Sequence, residues 1–131
     1  MPPRTGNAAP VTLLRPADTV TGILDRLRRR SEPEAAQAAD TIARLSPTGV
    51  TVTLDAVRSA RRLGSLRDAL RQEYGLVIWF ATTQPDLVEG IRAQLVDKDR
   101  SPRWRPASLA ELPADVGAQA LAFEPHPALW D

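Results

Sequence analysis

Serine with proline close behind it, set ahead of apolar residues that recur every three or four positions, is the pattern that most limits what this chain can become. It occurs at Ser31-Glu32-Pro33 and Ser46-Pro47, and related starts stand at Ser65 and at Pro85. A serine hydroxyl can accept the hydrogen bond of a first-turn N–H, and the N–H that proline lacks has no partner in the first turn anyway. Apolar side chains spaced by three and four then define one face of a helix. A chain punctuated in this way reads as a series of helices.

The helices can be placed individually. Over residues 17–30, Val20, Ile23, Leu24 and Leu27 share a face, with Asp18 as the expected N-cap and Arg28, Arg29 and Arg30 in the last turn. Ser31 and Glu34 match a capping box around Pro33, and the helix that follows closes its stripe with Ile42 and Leu45. Gly49 to Leu54, GVTVTL, is ambiguous: alternating Val and Thr suit a strand, whereas Val50, Leu54 and Val57 suit a helix capped by Ser46. Ser65 with Asp68 starts a helix to about Ala81. Its half LVIWFA is apolar nearly all round and so is expected to be buried on more than one side. Gly75 interrupts that helix at about 1 kcal/mol relative to Ala unless something packs closely there.

Pro85 opens a further helix ending near Lys98, with Leu87, Val88, Ile91 and Leu95 expected on its inward face. Beyond it prolines break the chain into short pieces, with helical turns expected at 108–112 and 114–121 and an extended end, EPHPALWD. Residues 1–16 read as a flexible leader. The expected architecture is all-α, with about five helices and a proline-rich tail.

Composition narrows the function classes. In 131 residues there are 17 basic and 16 acidic side chains, so the basic excess of a general nucleic-acid binder is missing. No cysteine is present, which excludes disulfides, thiolate nucleophiles and cysteine-bound metals. No run approaches the roughly 18 apolar residues of a membrane helix, and MPPRTGNAAP lacks the apolar stretch of a secretory signal. A cytoplasmic protein that binds neither nucleic acid nor membrane is the expectation.

No residue cluster announces a reaction. The single histidine, His126, stands between two prolines with no evident nucleophile nearby. Asp97 and Asp99 flank Lys98 with alternating sign, which suits a solvated helix end better than a metal. Glu73 and Glu89 sit among ordinary salt-bridge partners, and no glycine-rich loop could cradle phosphate. The block Lys98, Arg100, Arg103, Trp104 and Arg105 leaves three readings open. Cations with an aromatic suit a nucleotide's phosphates and purine; they also suit a partner-protein surface; or Trp104 pins the loop while the charges stay in water.

Four ordered segments carry a resemblance: AADTIARLSPT, TLDAVRSARRLGSLRDALRQEY, QPDLVEG and EGIRAQLVDKDRSPRWRPASLAEL. Together they resemble the C-terminal region of 3-hydroxyisobutyryl-CoA hydrolases, a branch of the enoyl-CoA hydratase/isomerase (crotonase) superfamily. The resemblance favours helix for GVTVTL. It implies a C-terminal helical subdomain over residues 17–131 and a complete enzyme that hydrolyses an acyl-CoA thioester in valine breakdown. In that family a core of turned β-sheets supplies the oxyanion hole and the catalytic acids. Nothing in this sequence resembles that core, so no catalytic residue carries over. The expectation is a truncated or split relative, inactive alone, whose partner is a separate crotonase-type core or a second copy. No cofactor is expected beyond the CoA moiety of an acyl-CoA ligand. Lys98 and Trp104 match the basic and aromatic positions that the superfamily places near the adenine-phosphate end of CoA. Gly49 and Gly75 stand where the family has larger residues, and both are expected to weaken their helices.

Overall fold

The computed structural model describes residues 19–130, in two compact units that divide between Arg44 and Leu45. Among the described residues there are six α-helices and no strand. The expected leader and the expected cap Asp18 lie outside the described residues.

In the first unit, α1 (Val20–Arg29) and α2 (Pro33–Ala43) pack on one another. The cap of α1 is Thr19, whose hydroxyl accepts from the Gly22 N–H at 3.1 Å. Val20, Leu24 and Leu27 are buried, as the helical spacing predicts. The capping box at Ser31 does not form. Pro33 takes the first helical position, and a residue before proline is pushed out of the helical region, so Glu32 becomes the N-cap at φ −73°, ψ 128°. Its carboxylate is occupied by Arg30, Nη2 to Oε1 at 2.6 Å and Nε to Oε2 at 3.2 Å, which lowers the pKa of Glu32 and raises that of Arg30. Because α2 ends at Ala43, Leu45 does not close its stripe and is 48% exposed.

The second unit holds α3 (Pro47–Ala60), α4 (Leu66–Thr83), α5 (Asp86–Ile91) and α6 (Val116–Ala122), with a 3₁₀ turn at Leu109–Glu111. GVTVTL is helical. The Ser46 hydroxyl accepts from the Gly49 N–H at 3.0 Å with Pro47 in the first turn, so the helix start overrides the β-propensity of Val and Thr. Thr53 donates back to the Gly49 carbonyl at 2.7 Å, which keeps its hydroxyl satisfied inside the helix. Ser65 caps α4 through the Asp68 N–H at 3.1 Å.

One core joins α3, α4 and α6. Val52 and Ala56, Leu76 and Trp79, and Val116 and Ala120 meet at helical spacing, with Phe80, Leu112, Leu121 and Phe123 packed around them. Trp79 meets Phe80 edge-on, with ring centroids 5.0 Å apart. Gln72 fastens α4 to α3: its amide donates to the Ala56 carbonyl at 3.1 Å and accepts from the Ser59 hydroxyl. At Gly117 α6 lies close against α3, since a Cβ there would overlap the Asp55 carboxylate.

Gly75 is not a mere weakness in its helix. It is buried, and a Cβ there would stand 3.5 Å from the Phe123 carbonyl oxygen and 3.9 Å from Pro125 Cδ. The tail therefore crosses α4 at this residue. It then runs back along the helix, with the Tyr74 hydroxyl donating to the Pro127 carbonyl at 2.8 Å and Arg67 lying 4.8 Å over the Trp130 ring.

Two expectations about inward faces need correction. In LVIWFA, Leu76 and Trp79 are buried but Val77 is 57% exposed. On α5 the stripe Leu87, Val88, Ile91 and Leu95 is exposed, at 40, 66, 45 and 69%. Asp86 and Ala93 take the buried positions instead. Periodicity identifies a common face, not what lies against it, and on this unit the side of α5 that meets its own chain is the one that receives residues 103–105.

Candidate functional site

The chemistry-bearing residues gather where α5 ends. After Ile91 the helix widens into a π-helical turn, Arg92–Val96, closed by the Asp97 N–H on the Arg92 carbonyl at 2.9 Å. Lys98 and Arg100 then adopt left-handed backbone, φ 56° and 54°, and the Arg100 N–H returns to the Ala93 carbonyl at 2.9 Å. Left-handed backbone at a non-glycine residue costs about 1–2 kcal/mol, so something must hold this turn.

Arg92 holds it. Its guanidinium forks onto Glu89, Nε to Oε2 at 2.9 Å and Nη2 to Oε1 at 2.7 Å. From Nη1 it donates to Asp97 Oδ2 and Asp99 Oδ2, both at 2.7 Å, and from Nη2 to the Ser101 carbonyl at 3.4 Å. Only a planar guanidinium offers that many donors in fixed directions. Glu89 also accepts the Arg103 N–H at 2.8 Å, and Asp99 the Ser101 N–H at 2.9 Å. The pKa values follow from these bonds. Glu89 is lowered to about 2, first by Arg92 and then by the Arg103 N–H. Asp99 is lowered by Arg92 and the Ser101 N–H, while Arg92 is raised by Glu89, Asp99 and Asp97.

A second carboxylate one turn earlier completes the frame. Asp86, 5% exposed, accepts the Arg105 N–H at 2.8 Å on Oδ1 and the Ser46 hydroxyl on Oδ2. Asp86 and Glu89 thus hold alternate N–H groups of the returning segment, and Trp104 lies between them. Its six-membered ring rests on α5, Cη2 and Cζ3 lying 3.5 and 3.6 Å from where a Cβ on Gly90 would be. The spacing Asp86-x-x-Glu89-Gly90 against Arg103-Trp104-Arg105 accounts for the whole arrangement.

The structure sets the two expected ligand residues apart in character. Lys98 is exposed on the left-handed turn, and Trp104 is half-buried against Gly90. Beside them lies an open polar hollow of about 610 Å³, whose lining includes Glu89, Asp97 and Asp99 with Arg92, Arg103 and Arg105. Three carboxylates against three guanidinium groups leave no net charge to attract a polyphosphate, and neither Lys98 nor Trp104 lines the hollow. Sequence reading took Asp97 and Asp99 as solvated surface and Glu89 as a carboxylate among ordinary salt-bridge partners, and it missed Arg92 as the partner all three share. It also missed Asp86 and Ser46 as a pair. The available signal was the i, i+3 placement of Asp86 and Glu89 ahead of an arginine. His126 is exposed in the tail, and among the described residues no group of three or more His, Asp or Glu stands close enough to hold a metal ion.

Comparison with known proteins gives the class of this helical chain. The profile of the enoyl-CoA hydratase/isomerase family matches residues 8–121, and the chain belongs to that family. It is 36% identical over 96 residues to the mitochondrial 3-hydroxyisobutyryl-CoA hydrolase of Gallus gallus, covering 73% of this chain and 24% of that protein. It is 45% identical over 71 residues to 3-hydroxyisobutyryl-CoA hydrolase-like protein 5 of Arabidopsis thaliana, covering 53% of this chain and 18% of that one. Among solved structures, a carnitinyl-CoA dehydratase from Mycobacterium thermoresistibile matches with a TM-score of 0.76 at 46% identity, over 87% of this chain and 32% of that chain. The chain therefore spans about a quarter or less of the curated relatives it matches. Among the described residues no helix is long and apolar enough to cross a membrane.

Proposed function

We propose that this chain is the helical closing module of a 3-hydroxyisobutyryl-CoA hydrolase-type enzyme. It docks on a separate crotonase-type core, helps close that core's acyl-CoA site and has no turnover of its own. The supporting observation is the combination of a helical fold matching 32% of a carnitinyl-CoA dehydratase chain with a charge cluster whose carboxylates are all bound to Arg92 or to backbone N–H groups. Carboxylates held in this way organise a loop and are poorly placed to take a proton from water. Thioester hydrolysis in this reading depends on an oxyanion hole supplied by the core. The acyl group is that of valine breakdown, by similarity to the hydrolases named above, and the compartment is the cytoplasm, although the chicken relative is named mitochondrial.

Lys98 and Trp104 in this reading face the adenine-phosphate end of CoA, the ammonium meeting phosphate and the indole edge the purine. A 3-hydroxyisobutyryl-CoA hydrolysis assay on the isolated chain tests the first claim, and turnover above a heat-killed control would overturn it. For the second, the double variant Lys98→Ala, Trp104→Ala weakens CoA binding in titration calorimetry; unchanged affinity removes the contact. A second reading, a non-catalytic helical module that pairs with its own copy, is favoured by the exposure of Val57, Val77 and Leu87.

A further inference from the structure

We infer that Arg103 and Arg105 form a binding site for a small organic monocarboxylate in the open hollow beside α5. The site is separate from the contact of Lys98 and Trp104 proposed above and does not depend on it. It is built by the way residues 103–105 are fastened. The Arg103 and Arg105 N–H groups are taken by Glu89 and Asp86, and Trp104 turns onto Gly90, so the two flanking side chains line the hollow. The carboxylates that could have paired with them there are already held. Arg92 takes both oxygens of Glu89 and one each of Asp97 and Asp99, and the Ser101 N–H takes the other oxygen of Asp99. Among the described residues the ion pairs in the hollow are all made by Arg92, and neither the Arg103 nor the Arg105 guanidinium has an acceptor within hydrogen-bond distance. Two forks of five N–H donors each therefore stand on a fixed backbone with nothing to hold.

Three features of the hollow select the ligand. A guanidinium fork matches the planar pair of oxygens of a carboxylate, and such charge-assisted pairs are stronger than neutral hydrogen bonds. The charge of the lining is balanced, so one negative charge can settle between the two forks, whereas a second or third would face Asp97 and Asp99. Pro85 and Val88 complete the wall, and Val88 is 66% exposed. An inorganic ion makes no use of that apolar surface, but a short carbon chain gains by covering it. The volume of about 610 Å³ suits a ligand of this size.

The test is a titration of the full ¹⁵N-labelled chain with isobutyrate at constant ionic strength, followed by NMR at the arginine Nε–H and backbone N–H signals. Inorganic phosphate and uncharged isobutyramide serve as comparison probes. Isobutyrate shifts the Arg103 and Arg105 Nε–H signals saturably, with a dissociation constant of about 1–10 mM, and isobutyramide does not. The double variant Arg103→Gln, Arg105→Gln weakens binding by about tenfold or more, while Arg61→Gln, Arg62→Gln, two exposed positions after α3 and outside the hollow, leaves it unchanged. The glutamine variant keeps both anchoring N–H groups and so the wild-type urea midpoint. Should that midpoint fall, Arg103→Lys, Arg105→Lys takes its place, since it retains the charge, loses the fork and still weakens binding. Shifts that rise without saturating, or an affinity that survives the loss of both guanidinium groups, overturn the site. Phosphate bound as tightly as isobutyrate shows a general attraction for anions and overturns the ligand class.

Discussion

Arg92 and Glu89 meet as a two-bond fork, at 2.9 and 2.7 Å, and the second oxygen of that fork also receives the Arg103 N–H. One carboxylate therefore ties the end of α5 to the segment that carries Trp104.

Acid should loosen this tie over a defined range. The Glu89 pKa is lowered from an ordinary 4.5 to about 2 in the folded chain. A depressed pKa means that the unfolded chain takes up the proton first. The contribution is therefore full above about pH 4.5 and is lost as pH falls towards 2. Asp99 acts in the same direction. Urea midpoints measured at pH 7, 4.5 and 3 should fall for wild type across that window. In Glu89→Gln the dependence should flatten by about one bound proton, with a lower midpoint at pH 7. Arg92→Lys should also lose stability at pH 7, since an ammonium cannot reproduce the fork. An acid limb in Glu89→Gln as steep as in wild type would contradict the assignment.

Gly75 yields a paired prediction. An added methyl would meet the Phe123 carbonyl oxygen at 3.5 Å, an ordinary contact, so Gly75→Ala should stabilise α4 by about 0.4–1 kcal/mol through the unfolded chain. Gly75→Leu extends into space the tail occupies and should lower stability while shifting the emission of Trp130. Equal stability of the two variants would show that the tail does not lie on this residue.

Ser46 serves two ends at once, capping α3 through the Gly49 N–H and donating to the buried Asp86. Ser46→Ala should cost about 1–2 kcal/mol, from the lost cap and from the acceptor left without its donor. Ser46→Thr should recover most of it. Thermal unfolding of the three chains decides the matter, and an alanine variant as stable as wild type would refute it.

Much of the fold was legible because helix starts are local. Ser46-Pro47 and Ser65 act as read, and the turn at 108–112 carries the capping box of Ser108 and Glu111. Ser31 failed because Pro33 dictates the conformation of Glu32, and that constraint outranks a matching side chain two residues away. The face of α5 was misassigned because four apolar residues at helical spacing say nothing about which protein surface, if any, covers them. The arginine-centred turn was illegible for a different reason. Its left-handed residues are Lys98 and Arg100, neither of them a glycine, and their conformation depends on hydrogen bonds from a residue several positions earlier. Gly75 shows a conditional reading resolved: the tail lies on it, yet at an ordinary contact distance that leaves room for a methyl, so the foreseen cost of glycine in the helix stands.

Trp79 lies in the core, Trp104 rests on Gly90 and Trp130 lies beneath Arg67. Intrinsic emission thus originates from three separate locations, and replacing any two indoles with phenylalanine leaves a reporter for the third. Whether the helical centre, the charged turn and the chain end melt together or in sequence can be read from one cuvette without attaching a dye.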